Sequence, residues 1–365
     1  MAQQANLLLF NLLTDREDPI LGFTTEWINA LAPCFRKIFV VTMAKGVVAV
    51  ASNVTVYSVG KEQGYSELRR LLRFYQITRQ ILSRDKIDVC FVHMISIFAV
   101  LFFPLALMRR IPVLFWYCHG ATPFTLRLAH TLVDRVVTCS ADGFRLKSSK
   151  VKIIGHGINT DVFKPSDTKY PTDTFRLLTV GRLSPVKHCD ILIHAVKEVA
   201  ASCTDPVSYT IIGGLERSDP AEYQAYLKGL VDVNHLDTVI TFKGPVPFYI
   251  VPARYREADL FLNASSTGSI DKAVLEAMSS GCMVLTSNPA FKRVLGDLSE
   301  LLFVPENDSK QFAAAIHKVR ALSFDERIKI GSRLREIVLH NHCLEGLTRQ
   351  LVDELNSLAG HTIQN

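Results

Sequence analysis

Arg182 and Lys187 stand five residues apart in the run GRLSPVK, directly after the apolar stretch Phe175 to Val180. Ser184 reads as a helix N-cap and Pro185 as the first helical residue, which puts Lys187 third in a helix predicted to run through Ala200. A cation in a first helical turn opposes the helix dipole, so this placement predicts a negative partner close by. A diphosphate suits the site, because two cations and the free N–H groups of a helix start can each give it a charge-assisted hydrogen bond.

A second stretch with chemical content is NASSTGSIDKAVLEAMSSGCMVLTSN, Asn263 to Asn288. A Ser/Thr/Gly loop opens a helix, Glu276 falls in its second turn, and Gly281 ends it before an apolar run. Loop, helix and strand in that order form half a βαβ unit whose open helix end points at a ligand. Two histidines, His93 and His119, each follow a short apolar run, so a parallel sheet would deliver both to one edge, where loops build sites. An imidazole there can donate to a hydroxyl or a departing phosphate and titrates near neutrality. Further runs end in Gly213-Gly214 and Lys243-Gly244-Pro245, where backbone can approach a nucleotide. Neither GxGxxG nor GxxxxGK[ST] occurs, which removes the dinucleotide and P-loop readings. DxD is missing as well, so side chains rather than a divalent metal are expected to neutralise a diphosphate.

These residues need a scaffold of alternating strands and helices. Leu7 to Leu13 is a continuous apolar run followed by a polar turn and a helical pattern with Trp27, Ile28 and Leu31 on one face, the opening of a doubly wound domain. Ile38 to Thr42, Val54 to Val59, Val89 to Val92, Ile111 to Tyr117, Val133 to Ser140 and Val151 to Ile154 read as further strands. The second half repeats the theme with Phe175 to Val180, Tyr209 to Ile212, Val239 to Phe242 and Leu260 to Asn263. Between Tyr65 and Leu82, the residues Leu68, Leu71, Leu72, Tyr75 and Leu82 keep helical spacing among Arg69, Arg70, Arg73 and Arg79, with Arg84 just beyond, a pattern that suits an anionic lipid surface as well as a sheet cover. Pro165 to Thr174, polar with two prolines, is the expected linker. Leu344, Leu347, Leu351 and Leu355 mark a last amphipathic helix.

The 365 residues suffice for two domains. Net charge is +6 overall, but up to Pro165 there are 20 Lys/Arg against 11 Asp/Glu, so the first half carries +9 and the rest −3. The basic half is expected to meet an acidic partner, with an anionic membrane surface as a candidate. The eight cysteines include no CxxC pair, and most sit in apolar runs, which argues for reduced core residues, against metal or disulfide frameworks, and for a cytoplasmic setting. The N-terminus lacks a basic n-region and reads as a buried strand rather than a signal peptide. Ile95 to Met108 carries Pro104 and ends at two arginines, so it reads as a buried helix rather than a span.

The LEAM-x-x-G-x-x-V pattern from Leu275 to Val284, the GR-x-x-x-x-K pattern at Arg182 and Lys187, and the GHGINTDVFKP run from Gly155 together resemble the retaining glycosyltransferases of the GT-B fold, in particular glycosyltransferase family 4 (group 1). The resemblance implies an α/β chain of two Rossmann-like doubly wound domains facing each other across a cleft: 1–165 on the acceptor side, 166–341 for the nucleotide sugar, and 342–365 as a helix returning to the first domain. It implies a UDP- or GDP-linked donor, a glycan, lipid-linked or small-molecule acceptor, no metal and no nucleic acid. Donor contacts are expected from Gly181, Arg182, Lys187, Gly244, Gly268, Ser269, Ile270, Asp271, Lys272, Leu275 and Glu276, with Glu276 on the ribose. His119 matches the family's interdomain histidine near the transferred sugar, and with Arg182 and Lys187 forms the expected catalytic set. Gly22, Phe23, Thr24 and His93 fall on the acceptor side. The family has a second Glu eight residues before Glu276, and here that position is Gly268, so Ser269 to Lys272 are expected to meet the sugar instead. A non-catalytic partner subunit and a nucleotide-sugar epimerase of the same fold are the alternatives. A peripheral place at the inner face of a membrane would fit the basic half.

Overall fold

The computed structural model describes residues 5–166, 171–215, 221–305 and 307–360. Two compact units divide the chain: Met1–Gly157 with Leu344–Asn365, and Ile158–Cys343.

The first unit is built on strands β1 (Asn6–Thr14), β2 (Lys37–Lys45), β3 (Val54–Ser58), β4 (Val89–His93), β5 (Val113–Trp116), β6 (Arg135–Thr138) and β7 (Val151–Ile153). They form one parallel sheet in the order β3-β2-β1-β4-β5-β6-β7. Successive residues of β1 point to opposite faces, so Leu8 and Phe10 enter one core while Leu7 and Leu9 enter another. That is why the run is apolar without alternation: a parallel sheet is covered on both sides. Helices α2 (Glu67–Arg84) and α3 (Ser96–Arg109) cover the first face with Phe74, Ile77, Phe98 and Phe102. Helix α1 (Phe23–Leu31) covers the other with Trp27 and Ile28, and α4 (Phe124–Leu132) links β5 to β6.

The second unit has β8 (Phe175–Val180), β9 (Val207–Ile212), β10 (Ile240–Gly244), β11 (Leu260–Asn263) and β12 (Met283–Thr286), again all parallel, in the order β10-β9-β8-β11-β12. Its helices up to the last strand are α5 (Cys189–Ser202), α6 (Ala221–Val233), α7 (Val251–Glu257) and α8 (Lys272–Ser279). After β12 come α9 (Ala290–Leu295), α10 (Ser299–Leu302), α11 (Ser309–Ala321) and α12 (Phe324–Asn341). In both sheets the chain winds outward from one strand in two directions, leaving a switch point beside β1 and another beside β8.

The last helix, α13 (Leu344–Ala359), belongs to the first unit and buries Leu344, Leu347, Leu351 and Leu355 against the α1 side of its sheet. Its buried Glu354 takes an ion pair from Arg135 and another from Lys152 at 2.5 Å. Burial pushes that carboxyl up, but the hydrogen bonds from Lys152 and Arg135 outweigh it and hold the group below the usual range.

Several expectations need correction. The segment from Ile158 to Pro165 packs with the second unit, not the first, because Phe163 is buried against the rings of Phe248 and Tyr255. Its carbonyl accepts from Ser279 Oγ at 2.6 Å and Arg335 Nη1 at 2.9 Å. The chain therefore changes unit at 157/158, ahead of the expected linker, of which residues 167–170 lie outside the described residues. On α2 the buried face is Phe74, Ile77, Thr78, Ile81 and Leu82, while Leu68 and Leu72 of the predicted stripe are 66% and 63% exposed. No described helix is long and apolar enough to cross a membrane, and α3, at 14 residues, rises only about 21 Å.

Candidate functional site

The switch point of the second sheet lies between β8 and β11, and the loops leaving those two strands carry most of the chemistry expected of this unit. After β8, Gly181 N–H donates to Ile212 O at 3.0 Å and Leu183 N–H to Gly214 O at 2.9 Å, while Gly213 N–H donates to Gly244 O at 2.9 Å. Three adjacent strands thus end in Gly181, Gly213 and Gly244, all at positive φ. A Cβ on Gly213 would stand 1.8 Å from Gly181 O, so glycine there is what allows the two strand ends to close into a smooth backbone floor.

The run after Gly181 does not enter a helix directly. Pro185–Lys187 form a single 3-10 turn, His188 adopts φ 45°, and α5 starts at Cys189. Ser184 consequently makes no side-chain cap, contrary to expectation. The left-handed residue swings Lys187 off the helix and towards β11. Its Nζ reaches Asp271 Oδ1 at 2.5 Å and Ser265 Oγ at 3.4 Å. The negative group beside this lysine is Asp271, although the break at His188 removes the first-helical-turn placement on which the expectation of a negative partner rested.

Asp271 is itself held from two other strand ends. Its Oδ2 accepts from Asn263 Nδ2 at 3.2 Å, at the tip of β11, and from Asn288 Nδ2 at 3.3 Å, beyond β12. Asn288 Nδ2 also donates to Ser269 O at 2.8 Å, which fixes the loop through Gly268, Ser269 and Ile270. Because the Asp271 side chain is engaged in this way, it does not cap α8, although the residue occupies the N-cap position. The two loops are joined again by Ser266 N–H to Val186 O at 3.2 Å and by the 3.1 Å contact of His188 Nε2 with Ser266 Oγ. A lysine oriented by a fixed carboxylate keeps donor capacity for a ligand, since an ammonium has three hydrogens.

Glu276 lies one turn into α8 with 6% of its surface exposed. It accepts from Tyr255 Oη at 3.2 Å and faces Lys272 Nζ at 3.9 Å. Burial pushes its carboxyl above the ordinary range, with Lys272 and the Tyr255 hydrogen bond pulling the other way. Burial, reinforced by the Glu276 charge, also drives the Tyr255 phenol well up, so Tyr255 remains a donor. Lys272 Nζ lies 6.0 Å from the centre of the Phe248 ring, on the segment that follows Gly244.

The expected residues fare unequally. Gly181, Arg182 and Lys187 lie in the segment between β8 and α5; Lys187 bonds Asp271, and Asn288 bonds both Asp271 and Ser269; Lys272 and Glu276 share α8. The Leu275 side chain is fully buried in the core of this unit. The residues that hold the site together without having been assigned a role are Ser265, Asn263, Asn288 and Tyr255. Asn263 ends one strand of the motif and Asn288 lies two residues past the next, a signal available in the sequence; Tyr255 carries none.

In the first unit, Gly22 precedes α1 and Phe23 opens it, at the carboxyl edge of β1 beside its switch point. The Phe23 ring lies 5.9 Å from His93, which is buried with Trp27 at 5.0 Å and Trp116 at 6.5 Å. His93 is thus part of an aromatic cluster. Thr24 gives its hydroxyl to Leu13 O at 2.6 Å and is buried, so it closes the β1 end rather than presenting a donor outward. His119 is exposed, and its Nδ1 accepts from Ala121 N–H at 3.0 Å. That bond leaves the neutral ring with its hydrogen on Nε2, turned into a donor.

The cysteines depart from expectation. Cys118 and Cys139 are joined in a disulfide, while the other six are free. They lie 21 residues apart, and only the pairing of β5 with β6 brings them together, which no local spacing announces. With His156 they also form the one cluster of metal-capable side chains among the described residues.

Residues 174–321 match the family described as glycosyl transferases group 1. The putative colanic acid biosynthesis glycosyltransferase WcaL of Escherichia coli is 27% identical over 217 residues, 57% of this chain and 52% of that protein. The chain thus spans about half the length of the curated relatives it matches. Among solved structures, Anabaena Alr3699/HepE in complex with UDP-glucose aligns with a TM-score of 0.75 at 16% identity, covering 97% of this chain and 100% of that one. Sucrose-phosphate synthase from Thermosynechococcus elongatus aligns at 0.76 and 17%, covering 98% and 100%. With two Rossmann-like units of seven and five parallel strands, the chain has the GT-B fold, and its second unit resembles the group 1 glycosyltransferases across residues 174–321.

Proposed function

We propose that this chain is a retaining glycosyltransferase that moves a sugar from a UDP- or GDP-linked donor to a glycan, lipid-linked or small-molecule acceptor. The observation that carries the reading is the Lys187–Asp271 pair set among the ends of β8, β11 and β12, where α/β sheets bind their ligands. The diphosphate takes Arg182 and Lys187 as its cations, with the open start of α8 and the backbone at Gly181 as further donors, so a divalent ion is not called on. Glu276 accepts the ribose hydroxyls, and the base lies towards Gly244. Gly268 has no side chain to offer the sugar, so Asp271, three residues on and already held in place, supplies that carboxylate.

Negative charge grows on the leaving phosphate as the glycosidic bond breaks, and the fixed cations stabilise it; such electrostatic aid is the main catalytic term on offer. Among the described residues no pair of carboxylates stands ready for a double displacement, which favours attack on the same face, assisted by the departing phosphate. The first unit is assigned the acceptor, with His119 presenting its Nε2–H to a sugar hydroxyl. In water without acceptor, the purified chain is expected to release nucleoside diphosphate slowly from its own donor within a panel of UDP- and GDP-sugars. Binding without release across the panel would leave a non-catalytic partner subunit, and isomerised sugar in place of free diphosphate would indicate an epimerase.

The exposed Leu68 and Leu72 of α2 stand among Arg69, Arg70 and Arg73, on the unit with excess positive charge. This supports peripheral attachment to an anionic lipid surface, with leucines entering the interface and arginines at the headgroups. Vesicles containing anionic lipid should retain the protein at low salt and release it at high salt. Equal retention on neutral vesicles would remove the attachment.

A further inference from the structure

We propose that Cys118 and Cys139 form a reversible thiol–disulfide exchange site, taking a low-molecular-weight disulfide or dithiol as its partner, which sets the order of the loop carrying His119. The fold prepares the pair. β5 and β6 run parallel with Trp116 opposite Val137, and continuing that register by two places sets Cys118 opposite Cys139, with Cα atoms 5.7 Å apart, within the range a disulfide spans. Cys118 is half-buried and thus reachable, whereas Cys139 is buried behind it. His156 Nε2 lies 3.7 Å from Cys118 Sγ, close enough to take the thiol proton and leave the thiolate, the form that attacks.

The exchange balances without a metal or an unnamed oxidant. Cys118 thiolate attacks one sulfur of an external disulfide and expels one thiolate, forming a mixed disulfide. Cys139 thiolate then attacks Cys118 Sγ and expels the second. Two electrons pass from the cysteine pair to the external disulfide, and the two cysteine protons, the first by way of His156, end on the two released thiols. A dithiol runs the sequence backwards.

The link to His119 passes through Gly143. A Cβ on that residue would lie 2.9 Å from Cys118 Sγ and 3.0 Å from Cys139 Sγ, so only glycine fits against the pair. The same residue's carbonyl accepts His119 N–H at 2.9 Å, and its N–H is held by Ser140 Oγ at 3.2 Å. Bonded sulfurs stand about 2 Å apart, whereas two separate thiols need roughly 3.5–4 Å. The added separation falls on the Gly143 peptide and, through it, on the His119 amide. The exchange itself is independent of the proposed transfer reaction; only its consequence for catalysis rests on that reading.

Two measurements on the full chain test this, neither needing a sugar. Peptide mapping should recover a Cys118–Cys139 cross-linked peptide after oxidised glutathione and separate thiol peptides after dithiothreitol, and Cys139→Ser should trap glutathione on Cys118. Amide hydrogen exchange at 119–121 and 143–144 should quicken about tenfold on reduction as the local hydrogen bonds loosen, and should not respond to reductant in Cys118→Ser/Cys139→Ser. No cross-link in oxidised glutathione, exchange indifferent to reduction, or one zinc ion held by Cys118, Cys139 and His156 of the reduced chain in place of the disulfide would each overturn the proposal. Loss of donor binding would leave these outcomes untouched.

Discussion

Lys187→Ala is expected to lower kcat/KM for the nucleotide sugar by about 10²–10³-fold while the chain stays folded. The ammonium is placed by three segments at once: the left-handed turn at His188 aims it, Asp271 Oδ1 holds it at 2.5 Å, and Ser265 adds a weaker contact at 3.4 Å. On the proposed reading, removing it takes a cation from the phosphates and leaves the Asp271 carboxylate, still gripped by Asn263 and Asn288, as uncompensated negative charge beside an anionic ligand. Both effects act in one direction and grow as the leaving group gains charge, so kcat should fall along with affinity. Lys187→Arg keeps the charge but replaces a compact ammonium by a planar fork, and should recover only part of the loss. Initial rates at saturating and limiting donor, with circular dichroism as the check on folding, separate these contributions. A variant within about threefold of wild type, under 1 kcal/mol, would remove Lys187 from the diphosphate.

Glu276→Gln is expected to raise the donor KM by roughly ten- to a hundredfold, the worth of one or two hydrogen bonds to a charged acceptor. The acid–base behaviour makes the assignment testable beyond a simple loss. Burial lifts the Glu276 carboxyl above the ordinary range despite Lys272 and Tyr255, so acidification protonates it earlier than an exposed glutamate and wild-type donor affinity should fall with it. The glutamine variant, with nothing to titrate there, should be flatter. Stability runs the opposite way. A carboxyl whose folded pKa exceeds its unfolded value, about 4.3, contributes stability fully below that value and loses it as pH rises through the folded pKa. Relative to Glu276→Gln, the wild type should therefore gain in Tm as pH is lowered through the raised folded pKa of Glu276 towards its unfolded value. Parallel pH dependences of the two proteins, in affinity and in Tm, would contradict a buried titrating carboxylate on the ligand.

The parts of this molecule legible in its sequence are those governed by short-range pattern. Apolar runs such as Leu7 to Phe10 suit strands covered on both faces, and their alternation with helical segments points to parallel sheets. Glycines at 181, 213 and 244 mark strand ends because all three take positive φ, and at Gly213 a Cβ would also strike Gly181 O. The misreadings share one cause, which is that spacing along the chain does not reveal neighbours across it. The leucine stripe of α2 left a lipid face and a sheet cover both open, and Phe74, Ile77 and Ile81 took the core side. Pro165 to Thr174 looked like a linker because it is polar, yet what holds the preceding segment is Phe163 and the hydrogen bonds to its carbonyl. Ser184 looked like a cap until His188 broke the helix start. Asp271 was visible, but its duty to Lys187 depends on β8 and β11 lying side by side, 84 residues apart. The cysteine pair was hidden for the same reason.

All of the chemistry argued for this chain depends on the diphosphate being the part of the ligand that the second unit grips through Lys187. Titration calorimetry of the full chain with UDP or GDP, and with the matching nucleoside, measures that grip directly, and Lys187→Ala reports whose it is. The diphosphate is expected to bind at least about a hundredfold tighter than the nucleoside, the worth of one or two charge-assisted contacts, and most of that advantage should vanish in the variant. Equal affinity for diphosphate and nucleoside, or an advantage that survives the loss of Lys187, would contradict the account.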